Sequence, residues 1–380
     1  MAEMHIMSAD SHVMEPADFW ETRLDRKFRS QAPHVIKNPN GSGYVFVAPG
    51  LAPFPVAGGF GTGRSGLELK EHLTKGYEAA RPSGWDPAER IKDQDIDGVE
   101  AEVLYTTLGM RLFSLEDAGL QRACFGAYND WLAEFCSYDP ARLIGNALIS
   151  LEDIAEGIKE LERSAKLGLR GAMIWGSAPE EKPYSSRIYD PFWQAASELA
   201  MPLSLHVITG KGRESKLVID PATGNVVSAA GPTRIEMYAN VIHEIQRSLS
   251  SIIAGGILER FPNLKLVSAE NDVGWLPHYM YRLDHAWEKY GLLMAEPLPR
   301  KPSEYMRRQL WATFQDDPVG PAAYKLYGES NYMWASDFPH TDSTWPNSRK
   351  VIERDFAGVP EEVTSKIVYK NAAELYRLGR

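Results

Sequence analysis

Apolar residues along the chain gather into eight short runs, each followed by a longer polar or amphipathic stretch. The runs cover residues 5–9, 101–106, 143–149, 171–175, 203–208, 264–269, 310–314 and 332–335. Between several of them the helical period appears. Asp86-Pro87-Ala88-Glu89-Arg90 opens one helix with an Asp cap, Pro at the first helical position and an early acid. Residues 115–135, 151–167, 191–199 and 241–261 read as further helices. In the last of these, Ile242, Ile245, Leu249, Ile252, Ile253 and Ile257 recur at helical spacing. Eight strands alternating with helices predict parallel βα units closed into a (β/α)8 TIM barrel, with a doubly wound open sheet as the rival. The barrel is preferred because the polar residues of interest follow strand ends, where barrels carry their active sites. The reading is one domain, residues 1–380.

Residues 30–85 do not fit a βα unit. They hold Pro33, Pro39, Pro49, Pro53 and Pro55 and the glycine-rich run Gly58-Gly59-Phe60-Gly61-Thr62-Gly63. The count of units works only if this stretch is an inserted segment after the first strand. Its aromatics, Tyr44, Phe46, Phe54 and Phe60, predict that it packs, as a lid over the barrel mouth. The glycine run is no phosphate loop, since it lacks Gly-Lys-Ser/Thr. Residues 209–240 read as a second long polar loop after the fifth strand.

Composition narrows the picture. Of 380 residues, 44% are hydrophobic and 24% charged, which suits a globular chain. The apolar runs fall far short of the roughly 18–20 residues of a membrane span. The first residues show no basic start followed by an apolar stretch, and two cysteines, Cys124 and Cys136, cannot build a disulfide framework. A cytoplasmic location is therefore expected. A formal net charge of −10 disfavours nucleic acid and anionic membranes as partners. A small molecule is the expected partner, and a homodimer through the aromatic 115–135 helix is weighed against plain core packing.

Chemistry concentrates at strand ends. Asp10 and His12, two apart on a strand, project to one face. His206 lies in the apolar run 203–208, and Asp337 follows the last run in Trp334-Ala335-Ser336-Asp337-Phe338-Pro339-His340. Each has an ordinary alternative: a helix cap for Asp10, a core histidine for His206, a turn acid for Asp337. A closed barrel brings all four ends to one mouth, and two imidazoles with two carboxylates suit Zn, Mn or Fe better than Ca or Mg. Around them, His340 is weighed as a ligand contact or a loop residue. Arg111 is weighed as an anchor for a substrate carboxylate, Trp175 as a pocket wall, and His243 as mainly structural.

These motifs resemble the amidohydrolase superfamily. More narrowly they resemble the amidohydrolase-2 branch related to aminocarboxymuconate-semialdehyde decarboxylase, of which the Phe261-Pro262-Asn263-Leu264-Lys265 stretch is also typical. The resemblance covers nearly the whole chain except residues 30–85. It implies a distorted barrel with Asp10, His12, His206 and Asp337 as metal ligands, and Asp337 placed to take a proton from activated water. Two departures stand out. The first motif is Asp-x-His rather than the commoner His-x-His. After the sixth strand, where decarboxylases of the branch usually carry a histidine, this chain has Glu270.

A carboxylate at position 270 can ligate a metal or act as a base. It donates a proton poorly at neutral pH unless its pKa is raised. Its ordinary alternative is a cap on a helix starting near Gly274. The expectation is therefore a metal-dependent hydrolase acting on a carbonyl of a hydrophobic or aromatic acid derivative, with Asp337, Glu270, His340 and Arg111 as its working groups. The alternative is a non-oxidative decarboxylase of an aromatic or unsaturated acid; a barrel that binds without turnover is third. Zinc is the favoured metal, with manganese or iron as alternatives, as one ion or two.

Overall fold

The computed structural model describes residues 4–39, 41–210, 217–219, 226–228 and 239–379. Eight strands form one parallel sheet: β1 (Met7–His12), β2 (Ala101–Tyr105), β3 (Leu143–Leu148), β4 (Gly171–Ile174), β5 (Leu203–His206), β6 (Leu266–Ala269), β7 (Leu310–Phe314) and β8 (Tyr332–Trp334). Their spatial order is their chain order. A doubly wound sheet would reverse direction at a switch point, and none occurs here. The strands read as near-continuous apolar runs because helices cover the sheet's outer face and the barrel interior its inner one.

No ladder pairs β8 with β1 among the described residues, yet the cylinder is closed just beyond β8. The Asp337 amide donates to the Asp10 carbonyl at 2.9 Å, the His12 amide donates to the Phe338 carbonyl at 2.6 Å, and the Ser336 amide donates to Ser8 Oγ at 2.8 Å. The closing seam therefore runs through two of the sequence-predicted site segments.

The helices fall close to their expected ranges. In α1 (Pro87–Asp97), the Asp86 side chain accepts from the amides of Ala88 and Glu89, and Gly98 ends the helix at φ +72°. α2 (Ala118–Cys136) turns Phe125, Tyr128, Trp131 and Phe135 into the core. These aromatics answer to core packing rather than to a dimer face. The helix predicted over 241–261 is two, Ile242–Ala254 and Ile257–Arg260, parted at Gly255-Gly256, where Gly256 adopts φ +69°. The periodic isoleucines carry no signal of this break.

The segment between β1 and β2 is more regular than the loop predicted from its prolines. His34–Lys37, Tyr44–Val47 and Phe54–Pro55 form a three-stranded antiparallel sheet, followed by the helix Gly66–His72. Phe46 and Phe60 are buried against the barrel. The polar stretch 209–240 lies mostly outside the described residues, apart from an antiparallel pair, Leu217–Ile219 with Val226–Ser228. Among the described residues no helix is long and apolar enough to cross a membrane.

Candidate metal centre

The C-terminal ends of β1, β5 and β6 and the turn after β8 deliver five side chains to the barrel mouth, where Asp10, His12 and His206 form one close group and His12, Glu270 and Asp337, with His340, another. β1 reaches it through an irregularity, its register against β2 shifting between Ser8 and Ser11. Such a bulge re-aims side chains, a common device beside active sites. Asp10 and His12 both end up buried. In the β5–β6 register His206 lies opposite Ala269, so Glu270 follows directly at its side. Glu270 and Asp337 adopt φ +53° and +54°, a left-handed backbone that non-glycine residues rarely take. Here that backbone turns each carboxylate inward at the end of its strand, and strain of this kind persists where the surroundings enforce it.

Local hydrogen bonds fix which atoms remain bare. His12 Nδ1 donates to the Thr106 carbonyl at 2.7 Å, and His206 Nδ1 to the Val207 carbonyl at 3.1 Å. With Nδ1 carrying the proton, each neutral ring presents its Nε2 lone pair inward. Asp10 Oδ2 accepts from Thr313 Oγ1 at 3.0 Å, which leaves Oδ1. Asp10 Oδ1, His12 Nε2, His206 Nε2, Glu270 Oε2 and both Asp337 carboxylate oxygens are buried without a hydrogen-bond partner. Their separations are short. His12 Nε2 lies 3.5 Å from Asp10 Oδ1, 3.3 Å from Asp337 Oδ1 and 3.8 Å from Glu270 Oε2. His206 Nε2 lies 3.3 Å from Glu270 Oε2 and 3.7 Å from Asp10 Oδ1.

Three carboxylates and two imidazoles buried face to face are unfavourable as they stand, because buried charge must be paired, protonated or coordinated. The pKa shifts express this. Burial, then Asp337, pushes the Glu270 carboxyl up to about 8. Burial and the Asp10 charge hold Asp337 well above the usual carboxylate range. Burial works against the His206 cation, but Asp10 and Glu270 outweigh it and raise the imidazole to about 9. His12 is driven well down, by burial first and then by its neighbours His340 and His206. A divalent cation removes the conflict. Ligands about 2.0–2.2 Å from one ion stand a little over 3 Å apart, as these donors do. The donor set of two imidazoles and three carboxylates fits a transition metal.

His340 completes the group. Its ring stacks on His12 with centroids 3.9 Å apart, and its Nδ1 lies 3.0 Å from Asp337 Oδ1. Thr107 Oγ1 gives its only proton to the Val13 carbonyl at 2.7 Å, so in its 3.0 Å contact with His340 it accepts from Nε2. Burial lowers the His340 pKa, so with Nε2 carrying the proton the neutral ring faces Asp337 Oδ1 with its Nδ1 lone pair.

The remaining expectations fare unevenly. Glu270 belongs to the cluster and caps no helix, since the next helix, Leu276–Tyr290, starts six residues on. Arg111 is buried in the turn after β2 with its guanidinium 5.3 Å over Phe54. Trp175 is buried and donates to the Phe113 carbonyl at 3.4 Å. His243 is exposed on its helix.

Sequence reasoning missed the supporting groups. Thr313 accepts from the Glu270 amide at 2.8 Å while donating to Asp10. Buried Glu15 accepts from the amides of Leu108 and Gly109, at 2.9 and 3.2 Å, and from the Thr106 hydroxyl. It thereby orders the turn whose Thr106 carbonyl orients His12. The available signals were an acid beside the apolar Val13-Met14 and a threonine inside an apolar strand.

A family model described as Amidohydrolase matches residues 34–378. Two curated relatives are similar over most of the chain. Gamma-resorcylate decarboxylase from Polaromonas sp. is 24% identical, covering 77% of this chain and 87% of its own. 2-Amino-3-carboxymuconate-6-semialdehyde decarboxylase from Dictyostelium discoideum is 27% identical over 67% of each. Two solved structures share the fold over nearly their full lengths. An amidohydrolase from Mycobacterium avium subsp. paratuberculosis has a TM-score of 0.75 at 21% identity, covering 100% of this chain and 99% of its own. A mutant form of 5-carboxyvanillate decarboxylase from Novosphingobium aromaticivorans, with bound manganese and 3-methoxy-4-hydroxy-5-nitrobenzoic acid, has a TM-score of 0.68 at 19% identity, with 98% and 97% covered.

These relatives overturn the expectation of a hydrolase, and the manganese in the last weakens the preference for zinc. The step that misled was the treatment of Glu270 as an ordinary acid, unable to give up a proton at neutral pH. Buried beside Asp337 and pushed up to about 8, it is not one.

Proposed function

The chain belongs to the amidohydrolase family, and from that membership we propose that it is a metal-dependent, non-oxidative carboxy-lyase acting on an aromatic or unsaturated acid. The observation that carries the reading is the gathering of six unpartnered, buried donor atoms at the barrel mouth, in two overlapping clusters joined at His12, in a chain whose curated relatives are decarboxylases. Asp10, His12, His206 and Asp337, with Glu270 beside them, would hold a single divalent ion, manganese being preferred. When bound, the ion would supply a Lewis acid able to chelate a carboxylate and a neighbouring hydroxyl.

The chain's own groups handle the proton. As the bond between the substrate carbon and its carboxyl carbon breaks, CO2 leaves and the electron pair stays on the carbon. That carbon then takes a proton. His340, whose Nδ1 lies 3.0 Å from Asp337 Oδ1, is proposed to carry it, because the Glu270 proton is displaced when the ion binds. Arg111, at the end of β2, is proposed to pair with a further acidic group of the substrate. The test is CO2 release by manganese-loaded protein from 2,6-dihydroxybenzoate and 5-carboxyvanillate, the acids for which relatives are named. Manganese-dependent release from either supports the reading; none from either, with the metal bound, overturns it.

Loading the metal should also release protons. His206 and Glu270, raised to about 9 and about 8, hold protons at pH 7 when no ion competes. A cation must displace both, and the proton that the raised Asp337 carboxyl holds, so affinity rises with pH through this window. Between pH 6 and 8 the manganese affinity is expected to gain up to about tenfold per pH unit for each proton released. Calorimetry in buffers of differing ionisation heat checks the count; a pH-independent affinity contradicts it.

A further inference from the structure

The glycine run 58–63 has no part in the chemistry above, yet it touches the centre's edge. The Thr62 amide donates to the Pro339 carbonyl at 3.0 Å, and the Thr341 amide donates to the Gly58 carbonyl at 3.2 Å. These two bonds bracket His340. On the barrel side the same loop is tied to β1 through the Asp337 amide to the Asp10 carbonyl at 2.9 Å, and through the His12 amide to the Phe338 carbonyl at 2.6 Å. The loop carrying Asp337 and His340 is thus gripped from both sides, by β1 within and by the insertion without.

The glycines leave room for the side chains that pack against the run. A Cβ on Gly59 would stand 2.6 Å from Thr107 Cγ2, and one on Gly61 would stand 2.3 Å from Thr341 Cγ2. Neither glycine has a positive φ; only Gly63, at +75°, does. Gly59 and Gly61 are therefore required for space, not for backbone conformation. Thr107 is also the residue that accepts from His340 Nε2. Both tight contacts fall on groups that touch or adjoin His340.

We propose that the insertion acts as a fixed clamp, in which the 58–63 run holds the 337–341 loop so that His340 and Asp337 stay in register with the other metal-centre side chains. This rests on the metal-centre reading above, and it gives the packed lid expected from the sequence a positioning role. The residues of the run are positioning residues, acting through His340 and Asp337.

The test exploits the single bad contact. Gly61→Ala collides with Thr341 Cγ2, while the next atoms stand at 3.4 Å or more. Thr341→Ser deletes Cγ2 and keeps the hydroxyl. Gly61→Ala is expected to speed deuterium uptake over residues 337–341 and to weaken manganese binding about tenfold, as loss of supporting contacts around a ligand does. Gly61→Ala/Thr341→Ser is expected to restore both. Unchanged uptake, unchanged affinity or no restoration in the double variant each overturns the clamp. Should Gly61→Ala not fold, the parent protein decides: the Thr62 and Thr341 amides must exchange as slowly as those of the barrel strands, and exchange at the rate of exposed loops overturns the proposal. No turnover is read, so failure of the carboxy-lyase reading and failure of the clamp stay distinguishable.

Discussion

Asp337→Asn is expected to lower turnover by at least about a hundredfold and to weaken manganese binding at least tenfold, while making the metal-free protein more stable. The losses follow from the position of Asp337. Its Oδ1 lies 3.3 Å from His12 Nε2 and 3.0 Å from His340 Nδ1, so one carboxylate serves both the donor cluster and the proton-bearing histidine. An amide keeps the shape but loses the charge that would bind a cation. It also cannot pass a proton back and forth with His340. Removing a general acid or base typically costs about a hundredfold to ten-thousandfold in rate, and disturbing a ligand's surroundings alone costs about ten- to a hundredfold in affinity.

The gain in stability has the opposite sign because burial and Asp10 hold Asp337 well above the ordinary carboxylate range. An acid raised on folding is least favourable at pH values above its folded pKa, and the neutral amide removes that cost. Thermal unfolding with and without manganese reads both effects: a higher midpoint without metal and a smaller upward shift on adding it. A variant that keeps full manganese affinity and a rate within tenfold of the parent removes Asp337 from the centre. His243→Ala, on an exposed helical surface, should leave binding and rate unchanged.

The barrel was legible because its signal is local and repeated. Each strand is buried on both faces and reads as an apolar run, and each helix carries its own period. The metal-centre residues were legible for a related reason: Asp10, His12, His206 and Asp337 are polar residues in or directly after apolar runs, where burial demands a partner. The insertion's sheet and helix were not legible because prolines and glycines mark loops by composition, whereas Gly59 and Gly61 leave room for the side chains of Thr107 and Thr341, a long-range cause. Thr313, Thr107 and Glu15 stayed hidden for the same reason. Their partners lie 303, 233 and about 93 positions away. The chemistry was misjudged at Glu270, since the sequence shows the residue but not the burial, and then the Asp337 neighbour, that raise its pKa.

Arg90→Met is expected to destabilise the protein by about 3–5 kcal/mol, the usual cost of leaving one partner of a buried ion pair alone. Arg90 is fully buried in α1. Its Nε donates to Glu102 Oε2 at 2.6 Å, Nη1 to the His12 carbonyl at 2.7 Å and Nη2 to the Phe338 carbonyl at 3.3 Å, and its guanidinium lies 4.7 Å over the Phe338 ring. One planar cation therefore joins α1, β2, the end of β1 and the turn after β8, across the seam that closes the barrel. Without it, Glu102 keeps only the Gln94 amide, 2.8 Å away, and two carbonyls lose a donor. A loss of that size is a large part of the roughly 5–15 kcal/mol that holds a typical domain folded. Arg90→Lys should rescue little, because a point charge cannot reach three acceptors in fork geometry. Arg90→Met/Glu102→Leu separates the two roles. Removing both charges should return most of the lost stability, since a buried pair is often replaceable by apolar groups. It should not return metal affinity, because the carbonyls of His12 and Phe338, beside His12's own ring and Asp337, still lack the guanidinium that joined them. Urea unfolding and manganese titration of the three variants decide it. A loss under about 1 kcal/mol in Arg90→Met, the scale of an exposed pair, would mean that the seam is held by its backbone bonds alone.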